Sequence, residues 1–330
     1  MIAWSNRAFQ TPVCSEAPLG YTPPMLALIL ATLFSAGFGL LIRVAQGMGA
    51  NLVAVGAANY LTAMVVNAAL FLLGAGLPPR GTTVAIAVGG GVCYAVAFFM
   101  VYRLTRERGA SITGAVMRIS TVVPVAFSLL VWGERLSAWQ AAGAALALAS
   151  LPLLTLRPGA ARHERRAGGG VLLLVSLFLL NGVCLLAPRA FRATEAVGEE
   201  ASFLAVLFAT AAATLCTVWA VTERRAAANP APAGDTAGDP AGAVAARHPL
   251  LLDIAPGIAV GVCNALQNRF MVTALQRLPG TLVYPFSAAV GLVLTVAVAR
   301  VAWKERFGRL GTVGIAAACV AIVLVNLGSP

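Results

Sequence analysis

Two arginines and a run of amides are the residues of this chain best suited to chemistry. Arg118 stands about eight residues into the apolar stretch 110–132, roughly 12 Å along a helix that rises 1.5 Å per residue. Spacings of 3 and 4 put Ser111, Gly114, Arg118, Thr121, Val125 and Ser128 on one helix face. A small and polar stripe on an otherwise apolar helix can line a watery cavity with the guanidinium pointing in. The competing reading pairs Arg118 with a backbone carbonyl. Arg269 lies in the stretch 251–275, where Gly257, Gly261, Asn264 and Asn268 share a face flanked by Gln267 and Arg269. That cluster either lines a cavity, or its amides bond between helices while Arg269 snorkels. A guanidinium holds a carboxylate or phosphate by paired hydrogen bonds, so the chemistry indicated is non-covalent capture of an anionic or zwitterionic solute.

Weaker candidates surround these. Tyr94 aligns with Asn264 in an internal repeat and is placed toward the same space, as are Thr121 and Tyr284. Asn59, Asn67, Asn181 and Ser287 read first as interhelical glue, a role Tyr284 shares. Thr210, Thr214 and Thr217 share a face and are expected to bond their own helix carbonyls. Pro124, Pro188 and Pro285 remove backbone donors and are expected to kink or break their helices. Glu134 and Glu305, beside Arg135 and Arg306, read as water-exposed helix-end anchors. The two histidines, His163 and His248, fall in loops, and the six cysteines form no CxxC pair. No metal site, cofactor or disulfide framework is therefore expected.

The elements that must position these residues are membrane helices. The chain is 59% hydrophobic and 11% charged, with a mean hydropathy of +0.86. Apolar stretches run over 25–44, 52–74, 82–102, 110–132, 137–156, 171–188, 200–222, 251–275, 279–302 and 308–327. Each is about 20 residues, the length that crosses a bilayer core. A soluble helical core would leave a polar face on its helices, yet Leu26 to Leu33 and Val171 to Leu180 are apolar all round. The expected fold is an all-α integral membrane protein of ten transmembrane helices, with the lipid bilayer as its first partner.

A net charge of +11 does not make this a nucleic-acid binder, because the basic residues lie between the apolar stretches. Fifteen of them fall in odd-numbered loops, six on the other side and two, Arg118 and Arg269, within helices. The positive-inside rule then places the loop 157–170 in the cytoplasm and both termini outside. Twenty-two arginines against one lysine suggest a GC-rich bacterial genome, and hence a bacterial inner membrane. Residues 1–24, with four prolines, read as a mobile tail or as a mis-set start before Met25. Loop 223–249, rich in Ala, Pro, Gly and Asp, reads as a flexible linker.

The stretches fall into two sets of five, 25–156 and 171–327, joined by the basic loop. Gly91-Val92-Cys93 and Gly261-Val262-Cys263 open corresponding stretches, and Trp132-Gly133-Glu134-Arg135 is answered by Trp303-Lys304-Glu305-Arg306. Gly182-Val183-Cys184 sits like Gly37-Phe38-Gly39. Matches in order at near-constant offset indicate duplication. An odd-numbered unit copied in a membrane points its copies in opposite directions.

Tyr102, Pro124, Gly-Glu-Arg-Leu-Ser at 133–137, Trp139, Gln140 and Gly143 resemble the EamA-type repeat of the drug/metabolite transporter superfamily. Tyr284 through Leu327, with Gly291, Lys304, Glu305, Arg306 and Gly314, is similar too, and also resembles the last two helices of small multidrug resistance proteins. The resemblance spans most of 25–327. It implies ten helices, an inverted five-plus-five repeat, a central substrate cavity and small-metabolite transport. One departure bears on mechanism. Small multidrug resistance proteins carry a carboxylate in the first helix, whereas 25–44 and 171–188 hold no Asp or Glu here.

The leading expectation is thus a secondary transporter that exports or exchanges an amino acid or organic acid by alternating access, without enzymatic activity. The alternatives are a membrane-embedded lipid-modifying enzyme and an exporter of drugs or cations. A second copy of the chain is a further candidate partner.

Overall fold

The computed structural model describes residues 23–108, 110–155, 170–228 and 250–302, and eight helical positions between 313 and 324. Its elements are α1 (Pro24–Gly47), α2 (Leu52–Leu70), α3 (Gly81–Arg108), α4 (Ala110–Ile119), α5 (Val122–Leu130), α6 (Ala138–Thr155), α7 (Gly170–Ala193), α8 (Glu200–Ala228), α9 (Leu250–Arg277) and α10 (Gly280–Ala302). Among the described residues there is no strand. Among the described residues five helices are long and apolar enough to cross a membrane: Pro24–Gly47, Leu52–Gly74, Gly81–Leu104, Leu172–Ala193 and Glu200–Val218. Their outward faces carry exposed Leu26, Leu33, Leu61, Val65, Leu172 and Leu179, side chains that only lipid would solvate well. This is an all-helical, multi-pass membrane protein.

Several predicted bounds move. The stretch 110–132 is two helices rather than one, broken at Ser120 and Thr121. Pro124 brings no N–H to bond the Ser120 carbonyl, and the chain crosses the gap with a tight Thr121 N–H bond to Arg118 O at 3.2 Å. Pro188 and Pro285, by contrast, sit inside the unbroken spans of α7 and α10. Helix α8 runs on to Ala228, six residues into the predicted linker, and α3 continues through Arg103, Arg106 and Arg108. Helix α2 ends in a wider turn over Phe71–Ala75 that closes at Gly74 with φ of 84°. The rest of the predicted linker, most of the tail and the basic loop, both histidines, and Glu305 with Arg306 lie outside the described residues.

The tightest helix pairs join one half of the chain to the other. Helix α9 packs along α1 and α2, α8 along α2 and α3, α7 along α3, and α10 along α1, α5 and α6. Glycine sets how closely they approach. A Cβ on Gly261 of α9 would stand 2.6 Å from the Asn59 carbonyl and 2.6 Å from Thr62 Cβ on α2. A Cβ on Gly91 of α3 would stand 2.4 Å from the Leu207 carbonyl and 2.7 Å from Thr210 Cβ on α8. The Gly-Val-Cys triplets at 91–93 and 261–263 thus make the same kind of close contact on different partners. Among the described residues three apolar clusters result, the smallest built on Ala147, Ala289 and Ala321. One gathers Tyr60, Phe191, Phe203, Leu204, Leu207 and Phe208, with Phe191 and Phe203 stacked at 4.3 Å. Another joins Leu28, Val125, Leu275, Leu282, Val283 and Phe286.

Candidate functional site

The amide cluster of α9 lies in the seam between α9, α2 and α3. Asn264 Nδ2 donates to Asn59 Oδ1 at 3.0 Å, and Asn264 Oδ1 accepts from Gln267 Nε2 at 3.0 Å and Asn268 Nδ2 at 2.9 Å. Tyr94 Oη closes the chain by donating to Asn268 Oδ1 at 3.0 Å, and Tyr60 Oη donates to the Tyr94 carbonyl at 3.1 Å. Asn59, Asn264 and Asn268 are buried. The face carrying Gly257, Gly261, Asn264 and Asn268, which the sequence left open between a cavity wall and a helix seam, packs against α2. Small residues let the backbones approach, and the amides then pair across the seam because lipid offers them no water. One donor remains over: Asn59 Nδ2 is buried without a hydrogen-bond partner.

The arginines are less engaged. Arg118 is half-buried at the end of α4, and Nη1 donates to the Ala288 carbonyl of α10 at 3.5 Å, a long and weak contact. Among the described residues that carbonyl is its one partner, which leaves four donors of the guanidinium for another acceptor. Arg269 has Nη1 buried without a hydrogen-bond partner. The other predicted site residues are tied into the fold. Thr121 Oγ1 donates back to Arg118 O at 2.8 Å, at the break between α4 and α5, and Tyr284 Oη donates to the Leu185 carbonyl at 2.7 Å. Asn181 bonds Met117 O at 3.1 Å and also Ser120 Oγ, as interhelical glue should, whereas Asn67 bonds back to Ala63 O at 2.8 Å. Thr210, Thr214 and Thr217 bond their own helix carbonyls at 2.9, 2.8 and 2.7 Å. The structure thus joins Tyr94, Asn264, Gln267 and Asn268 into one network, and among the described residues no bond links Arg118 to it.

Two carboxylates that the sequence did not single out as working groups organise the end of the bundle where α3, α8 and α10 begin. Glu134, expected to be exposed to water, has a buried side chain, 3% exposed. Its Oε1 accepts from Arg189 Nε at 2.9 Å, Arg189 Nη2 at 2.7 Å and Gly280 N at 3.1 Å. Its Oε2 accepts from Thr281 N at 2.9 Å and Thr281 Oγ1 at 3.0 Å. It caps the N-terminus of α10 from a turn 146 residues away, and Arg189 lies 4.5 Å over the Trp132 ring. Burial alone would raise its pKa. The Thr281 and Gly280 amides and then Arg189 outweigh burial and hold it below the usual carboxylate range. Glu199 does the same for α3: it accepts from Arg80 N at 2.9 Å and Thr83 Oγ1 at 2.6 Å and pairs with Arg80 Nε at 2.9 Å. Burial again opposes its charge, and the Thr83 and Arg80 bonds again win and lower the pKa. Sequence offers only the Gly-Thr pair at each helix start, Gly81-Thr82 and Gly280-Thr281, because both acids lie far along the chain from the helix they cap.

No family model matches this chain, and no curated protein does. Among solved structures it is similar to one described only as "Crystal structure of protein", at TM-score 0.67 and 17% identity, over 92% of this chain and 96% of that one. That likeness concerns the fold alone.

Proposed function

We propose that this protein is a secondary transporter of a small anionic or zwitterionic metabolite, an amino acid or organic acid, in a bacterial inner membrane. Ten helices form two inverted five-helix halves that rock about a site between them. The cross-half helix pairing and the matched contacts of Gly91 and Gly261 support the repeat. The observation that carries the function is Arg118, a guanidinium inside an apolar helix bundle whose one described partner is a carbonyl at 3.5 Å. A charge is costly in the bilayer and is kept there by a function. Arg269, with a buried donor unpaired, is the second group available to an acidic substrate. Orientation follows the basic residues, with loop 157–170 in the cytoplasm.

The test is solute counterflow in proteoliposomes preloaded with pooled amino acids and organic acids. Arg118→Ala should abolish exchange of the substrate so identified while the protein stays monodisperse. Wild-type exchange by that variant would remove Arg118 from the site. A single cysteine at Arg80 should react with an impermeant thiol reagent added outside cells, and one placed in loop 157–170 should not.

A further inference from the structure

We propose that the cluster of Glu134, Arg189, Trp132, Gly280, Thr281 and Ser128 is the gate that closes one side of the transport pathway. This rests on the alternating-access reading above. Glu134 bridges the two moving halves: the α5–α6 turn that carries it belongs to the first, whereas its partners Arg189 on α7 and Thr281 on α10 both belong to the second. The closure is tight. A Cβ on Gly280 would fall 2.6 Å from Ser128 Oγ of α5, and that hydroxyl is buried beneath it without a hydrogen-bond partner. Arg192 Nη1 adds a bond to the Leu278 carbonyl at 3.3 Å, drawing the α9–α10 turn onto α7.

The chemistry suits opening. An apolar seam that parts exposes surface that water solvates badly. A cluster of charges and helix-end amides at the membrane surface exchanges its internal bonds for water, and the desolvation suffered on closing is recovered. One carboxylate holds all the parts, so its release frees the α5–α6 turn from α7 and α10 together. Gln cannot replace it. Oε1 and Oε2 both accept, so an amide nitrogen in either position meets donors head on.

The experiment uses the full chain with its six cysteines replaced, reconstituted in lipid nanodiscs, with Ser128→Cys as reporter for an impermeant maleimide. Labelling should be slow with Glu134 intact and accelerate roughly tenfold in E134Q, the order expected for a lost charge-assisted hydrogen bond. R189K, which keeps the charge but loses the two-donor grip, should accelerate it by a smaller factor. Ser150→Cys on α6, also buried, is the control and should be unchanged. Flat labelling at position 128 in both variants overturns the gate. So does equal acceleration at position 150, or failure of both variants to fold, since a gate is dispensable for folding. Gated labelling in a protein that exchanges no solute would instead overturn the transporter reading and leave the moving contact standing.

Discussion

Arg189 and Glu134 meet through a single oxygen: Nε and Nη2 both donate to Oε1, at 2.9 and 2.7 Å, and Oε2 is left to Thr281. The carboxylate is thereby divided between a charge and a helix end. Arg189 shares Oε1 with the Gly280 N–H of the helix end, and Oε2 faces the positive N-terminal end of α10 alone.

This division makes stability pH-dependent with a definite sign. The pKa values of Glu134 and Glu199 are lowered in the folded protein. Their contribution is complete above the unfolded value of about 4.3 and is lost as pH falls through the lower folded values. The thermal midpoint in detergent should therefore be level near neutrality and fall below about pH 4.5. In E134Q/E199Q the fall should be much smaller, and an undiminished fall would assign it to other groups.

Gly91 and Gly261 should each resist the smallest substitution. Ala at either position forces a shift of the neighbouring helix backbone and should cost about 1–3 kcal/mol. Gly89 lies on α3, where a Cβ would meet nothing within 4 Å. Gly89→Ala should instead be neutral or stabilising by up to about 1 kcal/mol, from helix propensity. Chemical denaturation of the three variants separates these outcomes.

Asn264 should behave as a structural hub. Asn264→Ala strips partners from Asn59, Gln267 and Asn268 at once and should cost about 1–3 kcal/mol. Asn59→Ala should cost less, and the double variant less than the sum, because the two share a bond. If Asn264→Ala lost counterflow with an unchanged unfolding midpoint, the residue would belong to the substrate site instead.

Arg269→Ala should reduce exchange of the substrate without lowering stability, because its buried Nη1 has no hydrogen bond to lose. A fall in the unfolding midpoint without loss of exchange would make it a structural residue.

The membrane helices were legible because apolar length is a local property, and the bilayer reads it directly. The Gly-Val-Cys copies were legible for the same reason, as short local matches, and both proved to be close helix contacts. The break at Ser120 and Thr121 was half legible: Pro124 announced it, but the apolar run across it gave no boundary. What sequence could not supply was the partner of each polar group. Gly257, Gly261, Asn264 and Asn268 have the pattern of a cavity wall and of a helix seam alike, and only the position of α2 decides between them. Glu134 looked like a solvated helix end because Arg189 and Thr281 are 55 and 147 residues away.

The matched contacts of Gly91 and Gly261 have a consequence for mutational scanning. They stand 170 positions apart and press on α8 and α2 in the same manner. Across the stretches where that register holds, the proposed repeat predicts that a tolerance profile correlates with itself when shifted by 170 positions, each copy then serving as an internal replicate of the other. Positions where the replicate fails, intolerant in one half and indifferent in the other, carry a demand that helix packing does not make. Such a scan would locate the working residues without knowledge of the solute.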